Sequence, residues 1–225
     1  MGHFTVRTFF SMWVHELGHT LSAWWCGYGA MPGPWVTRIA EERTLGVAAL
    51  LAAVQGFLAW RAWQTGRRVR AGAFALGVAL QLVLGLGLSP TGAQAVITFG
   101  GDAGCFVLGT LLMASFYVPR EHSLRRGHVR WGLVWIGAAA FADVADTWWA
   151  ARRNAESIAY GESSAAGLSD PSKLVDTYHW TETELVRRYV SLGVLCALVL
   201  AGVYAAGLAR AFGGWRALAR ALARR

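Results

Sequence analysis

The stretch His15-Glu16-Leu17-Gly18-His19 lies between two apolar runs, Phe9-Phe10-Ser11-Met12-Trp13-Val14 before it and Thr20-Leu21-Ser22-Ala23-Trp24-Trp25 after it. Nothing else in the chain limits its possible folds so strongly. Apolar residues on both sides predict a helix, and on a helix side chains four apart share a face, so the two imidazoles can chelate one metal ion. Glu16 between them is placed to hold and deprotonate a water on that ion, the zinc-hydrolase form of H-E-x-x-H. On a solvated helix the pattern arises by chance. Inside a bilayer each ionisable group carries an insertion penalty of roughly 2.5–3.5 kcal/mol, so three together need a compensating partner such as a metal. The bland use of the same residues is a polar cluster that hydrogen-bonds helices together.

Composition supplies the membrane setting. The 225 residues are 55% hydrophobic and only 15% charged, with mean hydropathy +0.38, whereas a soluble domain carries roughly 25% charged residues. Twelve tryptophans suit two interfacial belts, and Trp24, Trp25, Trp60, Trp63, Trp131, Trp148 and Trp149 fall near expected span ends. Cys26, Cys105 and Cys196 are scattered and odd in number, which points to neither a disulfide framework nor a thiolate metal site.

Hydropathy predicts an all-α polytopic membrane protein of one domain, residues 1–225, with six spans near the ~20 residues a bilayer requires. The spans are expected at 5–26, 44–63, 71–88, 93–118, 129–151 and 185–208. Gly27 to Pro34 breaks the first helix, and a short polar loop is expected after it. Gln55 and Gln81, in the second and third spans, are polar enough to bond between helices, and Gly100-Gly101-Asp102-Ala103-Gly104 lets the fourth approach a neighbour closely. Asp143 and Asp146 share a face of the fifth. The polar loop 152–184 contains Asp170-Pro171, read as an N-cap with an N1 proline, and Thr181-x-x-Glu184, read as a capping box opening the sixth span.

Loop charges orient the chain. Arg7, Arg61, Arg67, Arg68, Arg70, Arg120, Arg125, Arg126, Arg130 and the tail arginines Arg210, Arg216, Arg220, Arg224 and Arg225 fall on one side with the single acid Glu121. That side is expected to be cytoplasmic, with both termini in it. The formal charge of +8 is then turned to anionic lipid, and no nucleic-acid motif is present. An uncleaved N-terminal helix fits a multi-pass protein of a bacterial inner membrane.

A third ligand is sought by depth. At 1.5 Å per residue, His15 and His19 lie roughly 15 and 21 Å in from the cytoplasmic ends, Asp143 roughly 21 Å and Asp146 roughly 25 Å. Asp143 is level with the histidines on a parallel helix, so it is the expected carboxylate of a His-His-carboxylate site; Asp146 and Asp102 are its rivals. Any of these aspartates can instead be a packing residue or a partner held behind a histidine.

The segment Val14–Tyr28, with H-E-L-G-H followed by Thr20-Leu21-Ser22-Ala23-Trp24-Trp25 in an early membrane helix, resembles the site-2 protease family of intramembrane zinc metalloproteases. The resemblance implies His15 and His19 as zinc ligands and Glu16 as catalytic base. The Asn-x-x-Pro stretch leading into Leu-Asp-Gly and an inserted PDZ domain are absent, so Asp143 rests on depth and orientation. The implied activity is that of a zinc metalloendopeptidase: Glu16 activates a zinc-bound water against a peptide bond in or near a transmembrane helix. Two other classes fit the same residues. A metal transporter or sensor would need the histidines and aspartates but not Glu16, and a pseudoprotease would bind membrane helices without cutting them.

Overall fold

The computed structural model describes residues 10–118, 122–125, 127–163 and 167–214. The start of the first expected span with Arg7, and Arg120, Glu121, Arg126, Arg216, Arg220, Arg224 and Arg225, lie outside the described residues.

The chain is mostly helical, 76%. Helix α1 (Met12–Trp25) is followed by strands β1 (Tyr28–Met31) and β2 (Arg38–Arg43), then α2 (Leu45–Gln64), α3 (Arg68–Gly87), α4 (Pro90–Ala114) and α5 (Val129–Ala151). A small hairpin of β3 (Glu162–Ser163) and β4 (Gly167–Leu168), a single turn α6 (Asp170–Ser172) and the long α7 (Glu182–Ala211) complete it. Four helical segments, Gly46–Gln64, Arg68–Gly87, Pro90–Tyr117 and Glu182–Ala211, are long and apolar enough to cross a membrane. These are the second, third, fourth and sixth expected spans. Helix α1 has 14 described residues, and α5, although 23 residues long, mixes Asp143, Asp146, glycines and tryptophans among its apolar residues.

Residues 28–43, expected as a helix breaker to Pro34 and then a short polar loop, form an antiparallel hairpin in which Tyr28 opposes Arg43 and Met31 opposes Arg38. Gly27, at φ +85°, ends α1 in the left-handed conformation that glycine adopts without strain. Thr44 N then donates to Gly27 O, closing the hairpin at its base. Arg43 extends from β2 over the Tyr28 ring and donates to Leu88 O.

Contacts divide the chain into two compact units, one of residues 1–14, 103–158 and 186–225 and the other of residues 15–102 and 159–185. In the first, α4 and α5 meet at paired glycines: a Cβ on Gly109 would come within 2.8 Å of Gly137 O, and one on Gly137 within 2.7 Å of Gly109 O. Around them Phe106 and Phe141 meet edge to face, and Trp148 stacks on Tyr189 at 4.1 Å. The second unit holds the β1–β2 hairpin, a core of Ala23, Cys26, Tyr28, Ala93 and Ile97, and the α2–α3 pair. Gln55 Nε2 donates to Gln81 Oε1 and Gln81 Nε2 to Ala48 O, so the two glutamines do bond between helices. The Gly100-Gly101 pair meets α1: a Cβ on Gly100 would strike Ser22 and lie 3.1 Å from Gly18 O.

Candidate metal centre

Every group of the centre belongs to the second unit. Four residues apart on α1, His15 and His19 turn to the same side, and their Nε2 atoms are 3.1 Å apart. Asp170 Oδ2 stands 3.0 Å from each of them. Behind the rings, His15 Nδ1 lies 3.0 Å from Asp102 Oδ1 and His19 Nδ1 lies 2.8 Å from Ile97 O, both on α4.

Asp170 is held by a built turn. Ser169, not Asp170, is the cap of α6, accepting from Ser172 N at 3.4 Å; the N-cap expected at Asp170 is thus one residue earlier. Ser169 N donates to Gly161 O, and Gly161 N donates to Ser172 Oγ at 3.0 Å. Just beyond, Leu174 is fully buried and its carbonyl accepts from Trp180 N, whose ring packs on Phe99. At the following boundary the expected cap holds: Glu184 N donates to Thr181 Oγ1 at 3.2 Å.

The Ile97 carbonyl only accepts, and so does an ionised Asp102, so each Nδ1 carries a hydrogen. In a neutral imidazole the lone pair is then on Nε2. With Asp102 ionised and both rings neutral, two nitrogen lone pairs and a carboxylate oxygen converge on one point, where positive charge stabilises them. Extra protons on the rings are one source. In that form burial would raise the Asp170 carboxyl, but hydrogen bonds from His15 and His19 and their charges outweigh it and hold the group well below the usual carboxylate range.

A metal ion is the other source, and the donor set fits zinc. A zinc tetrahedron with bonds of ~2.0–2.1 Å has ligand-to-ligand edges of roughly 3.3 Å. The three observed edges, 3.0, 3.0 and 3.1 Å, form one slightly closed face of it. Two imidazoles and a carboxylate leave a fourth position, as in hydrolytic rather than structural sites. These three residues are the metal-capable cluster found among the described residues.

Glu16 is buried, and its carboxylate is met by the hairpin: Thr37 Oγ1 lies 2.7 Å from Oε2 and 2.9 Å from Glu16 O. Thr20 Oγ1 also donates to Glu16 O.

His15 and His19 are thus brought together as their spacing predicts. Asp102 stands behind His15. Asp143 and Asp146 lie on α5 in the first unit, and the carboxylate beside both histidines is that of Asp170. Asp170 lies in the polar segment outside the expected spans, where helix depth carries no signal for it, although Ser169-Asp170-Pro171 carries the signature of a capped turn. Thr37 has no local sequence signal. Gln55 and Gln81, expected to bond between helices, bond to each other. The chain matches no protein-family model, no curated protein and no solved structure.

Proposed function

We propose that this protein is an integral membrane zinc metalloendopeptidase that hydrolyses a peptide bond in or near a transmembrane segment, as its resemblance to the site-2 protease family implies. His15, His19 and, in place of Asp143, Asp170 hold the metal. The observation that carries the reading is the convergence of His15 Nε2, His19 Nε2 and Asp170 Oδ2 within about 3 Å of one another, the two histidines on the helix that also carries the glutamate of H-E-x-x-H. Zinc held there would supply a Lewis acid for a substrate carbonyl and would make water acidic enough to lose a proton near neutral pH. His15 and His19 would hold it through Nε2, with their Nδ1 sides kept on Asp102 and the Ile97 carbonyl. Glu16 takes the proton of the attacking water and returns it to the departing amine. Thr37 fixes the direction of the Glu16 carboxylate.

The substrate class follows from the setting. A helix in lipid has its carbonyls bonded within itself, so a scissile carbonyl must come from a locally unwound stretch. Six spans, with both termini in the cytoplasm of a bacterial inner membrane, complete the proposed arrangement; loop charge supports it.

The test is zinc content of the detergent-purified protein, followed by cleavage of a membrane-helix substrate. Near one zinc per chain, lost in His19→Ala and Asp170→Ala but kept in Asp143→Ala, is expected. Glu16→Gln should retain zinc and lose cleavage by a factor of at least ~10². Zinc lost in Asp143→Ala but not in Asp170→Ala would return the ligand to Asp143. Metal flux that survives Glu16→Gln would instead indicate a transporter, and helix binding without any Glu16-dependent product a pseudoprotease.

A further inference from the structure

Helix α4 gives the centre no ligand, yet it touches both imidazoles from behind. Ile97 O meets His19 Nδ1 at 2.8 Å and Asp102 Oδ1 meets His15 Nδ1 at 3.0 Å. The order is reversed along the two helices, so each ring has its own partner. Between those partners lies Gly101, where a Cβ would come within 2.6 Å of Nε2 of both rings. Each ring is therefore held to α4 through Nδ1 and also turns its Nε2 toward the bare backbone at Gly101.

The two bonds do one chemical job. A neutral imidazole in water favours the hydrogen on Nε2, the atom that must here be bare. An acceptor at Nδ1 reverses that preference and fixes the ring plane. For His19 the acceptor is a main-chain carbonyl, present whatever side chain stands at position 97. For His15 it is a side chain and can be removed. Asp102 is mostly buried, at 9% exposure, where an ionised carboxylate needs a strong hydrogen-bond donor facing it.

We propose that Asp102 is the positioning residue of the metal centre: by accepting the His15 Nδ1 hydrogen it holds His15 in the tautomer and orientation that present Nε2 to the ion. The inference rests on the metal-binding reading above. It assigns Asp102 a role apart from ligation, since its carboxylate meets Nδ1 of the ring and not Nε2.

The experiment compares full-length wild type with Asp102→Ala, Asp102→Leu and Asp102→Asn in detergent. Zinc affinity is read by chelator competition, and the His15 tautomer by nitrogen-15 shifts of labelled histidine in metal-free protein. Leucine keeps the volume without an acceptor and serves if the alanine variant does not fold; helical circular dichroism checks both. Asparagine keeps an acceptor oxygen at the same place. The expected result is a zinc affinity about 10–100-fold weaker in Asp102→Ala and Asp102→Leu, a shift of His15 toward the Nε2–H tautomer in both, and recovery of most of the affinity in Asp102→Asn. Wild-type affinity or an unmoved tautomer in the alanine and leucine variants would overturn the proposal, as would an asparagine variant no better than alanine. Wild-type protein that binds no zinc would overturn the metal reading and this inference together.

Discussion

At Gly101 a side chain would begin within 2.5 Å of His15 Cε1 and 2.6 Å of His19 Nε2. No rotamer relieves that overlap, because the Cβ itself is the intruding atom and α4 fixes it in place. Both rings would have to turn away from the shared point. Gly101→Ala is therefore expected to weaken zinc binding by at least about tenfold, comparable to losing a partner behind a ligand, while the helical circular dichroism stays near wild type. Chelator competition checks it, and an alanine variant with unchanged affinity would mean the ion does not sit between the two Nε2 atoms. The residues around the glycine divide by how local their signals are. His15, Glu16 and His19 are legible because one helical turn relates them. Asp102 is legible as a membrane-depth carboxylate but not as the partner of Nδ1, since that depends on which edge of the ring faces α4. Thr37 and Asp170 are related to the histidines only through folding.

Among the elements, α2 and α3 show how a polar pair is accommodated in an apolar helix pair. Both helices expose Leu50, Phe57, Leu80, Leu82 and Val83, residues suited to lipid, and bury one glutamine each toward the other. Gly77 leaves the space: a Cβ there would strike the Gln55 side chain. Gln81→Leu would remove the acceptor that Gln55 Nε2 meets at 2.9 Å, leaving it only the longer bond to Leu51 O at 3.4 Å, and would leave the Ala48 carbonyl without its side-chain donor. Such bonds in membrane proteins contribute roughly 0.6–1.7 kcal/mol each. A stability loss of about 1–3 kcal/mol is expected in detergent unfolding, with zinc content unchanged because the pair takes no part in the centre. Loss of zinc at full stability would show that α2 and α3 do more than support. The β1–β2 hairpin is the element hydropathy did not reveal. Gly27-Tyr28-Gly29-Ala30 reads as a helix breaker, which it is, but the strand pairing that follows depends on long-range register and on Arg43 reaching Tyr28 and Leu88.

For the molecule as a whole, the centre joins two stretches 151 residues apart in the chain, at His19 and Asp170, within one compact unit. An ion bound to the folded state only must stabilise that state by mass action, by about 2.7 kcal/mol at a hundredfold excess over its dissociation constant. Zinc should therefore raise the melting temperature of the metal-free protein and slow proteolysis around Gly161 and Gly167, the backbone beside the Asp170 turn. His19→Ala should abolish both effects. Equal protection in that variant would place the zinc effect elsewhere.

The sequence alone determined the helical class, four helices long and apolar enough to cross a membrane, the His15–His19 pair and the glutamines that bond across α2 and α3. Each of these follows from periodicity or composition within about one helix length, where neighbouring side chains are fixed in relation to one another by the backbone geometry alone. Tertiary structure decided which carboxylate faces the histidines, which one stands behind them, and that a strand hairpin meets Glu16. Those relations depend on how distant segments are brought together, and a polar turn such as Ser169-Asp170-Pro171 carries no local mark of the surface it will face.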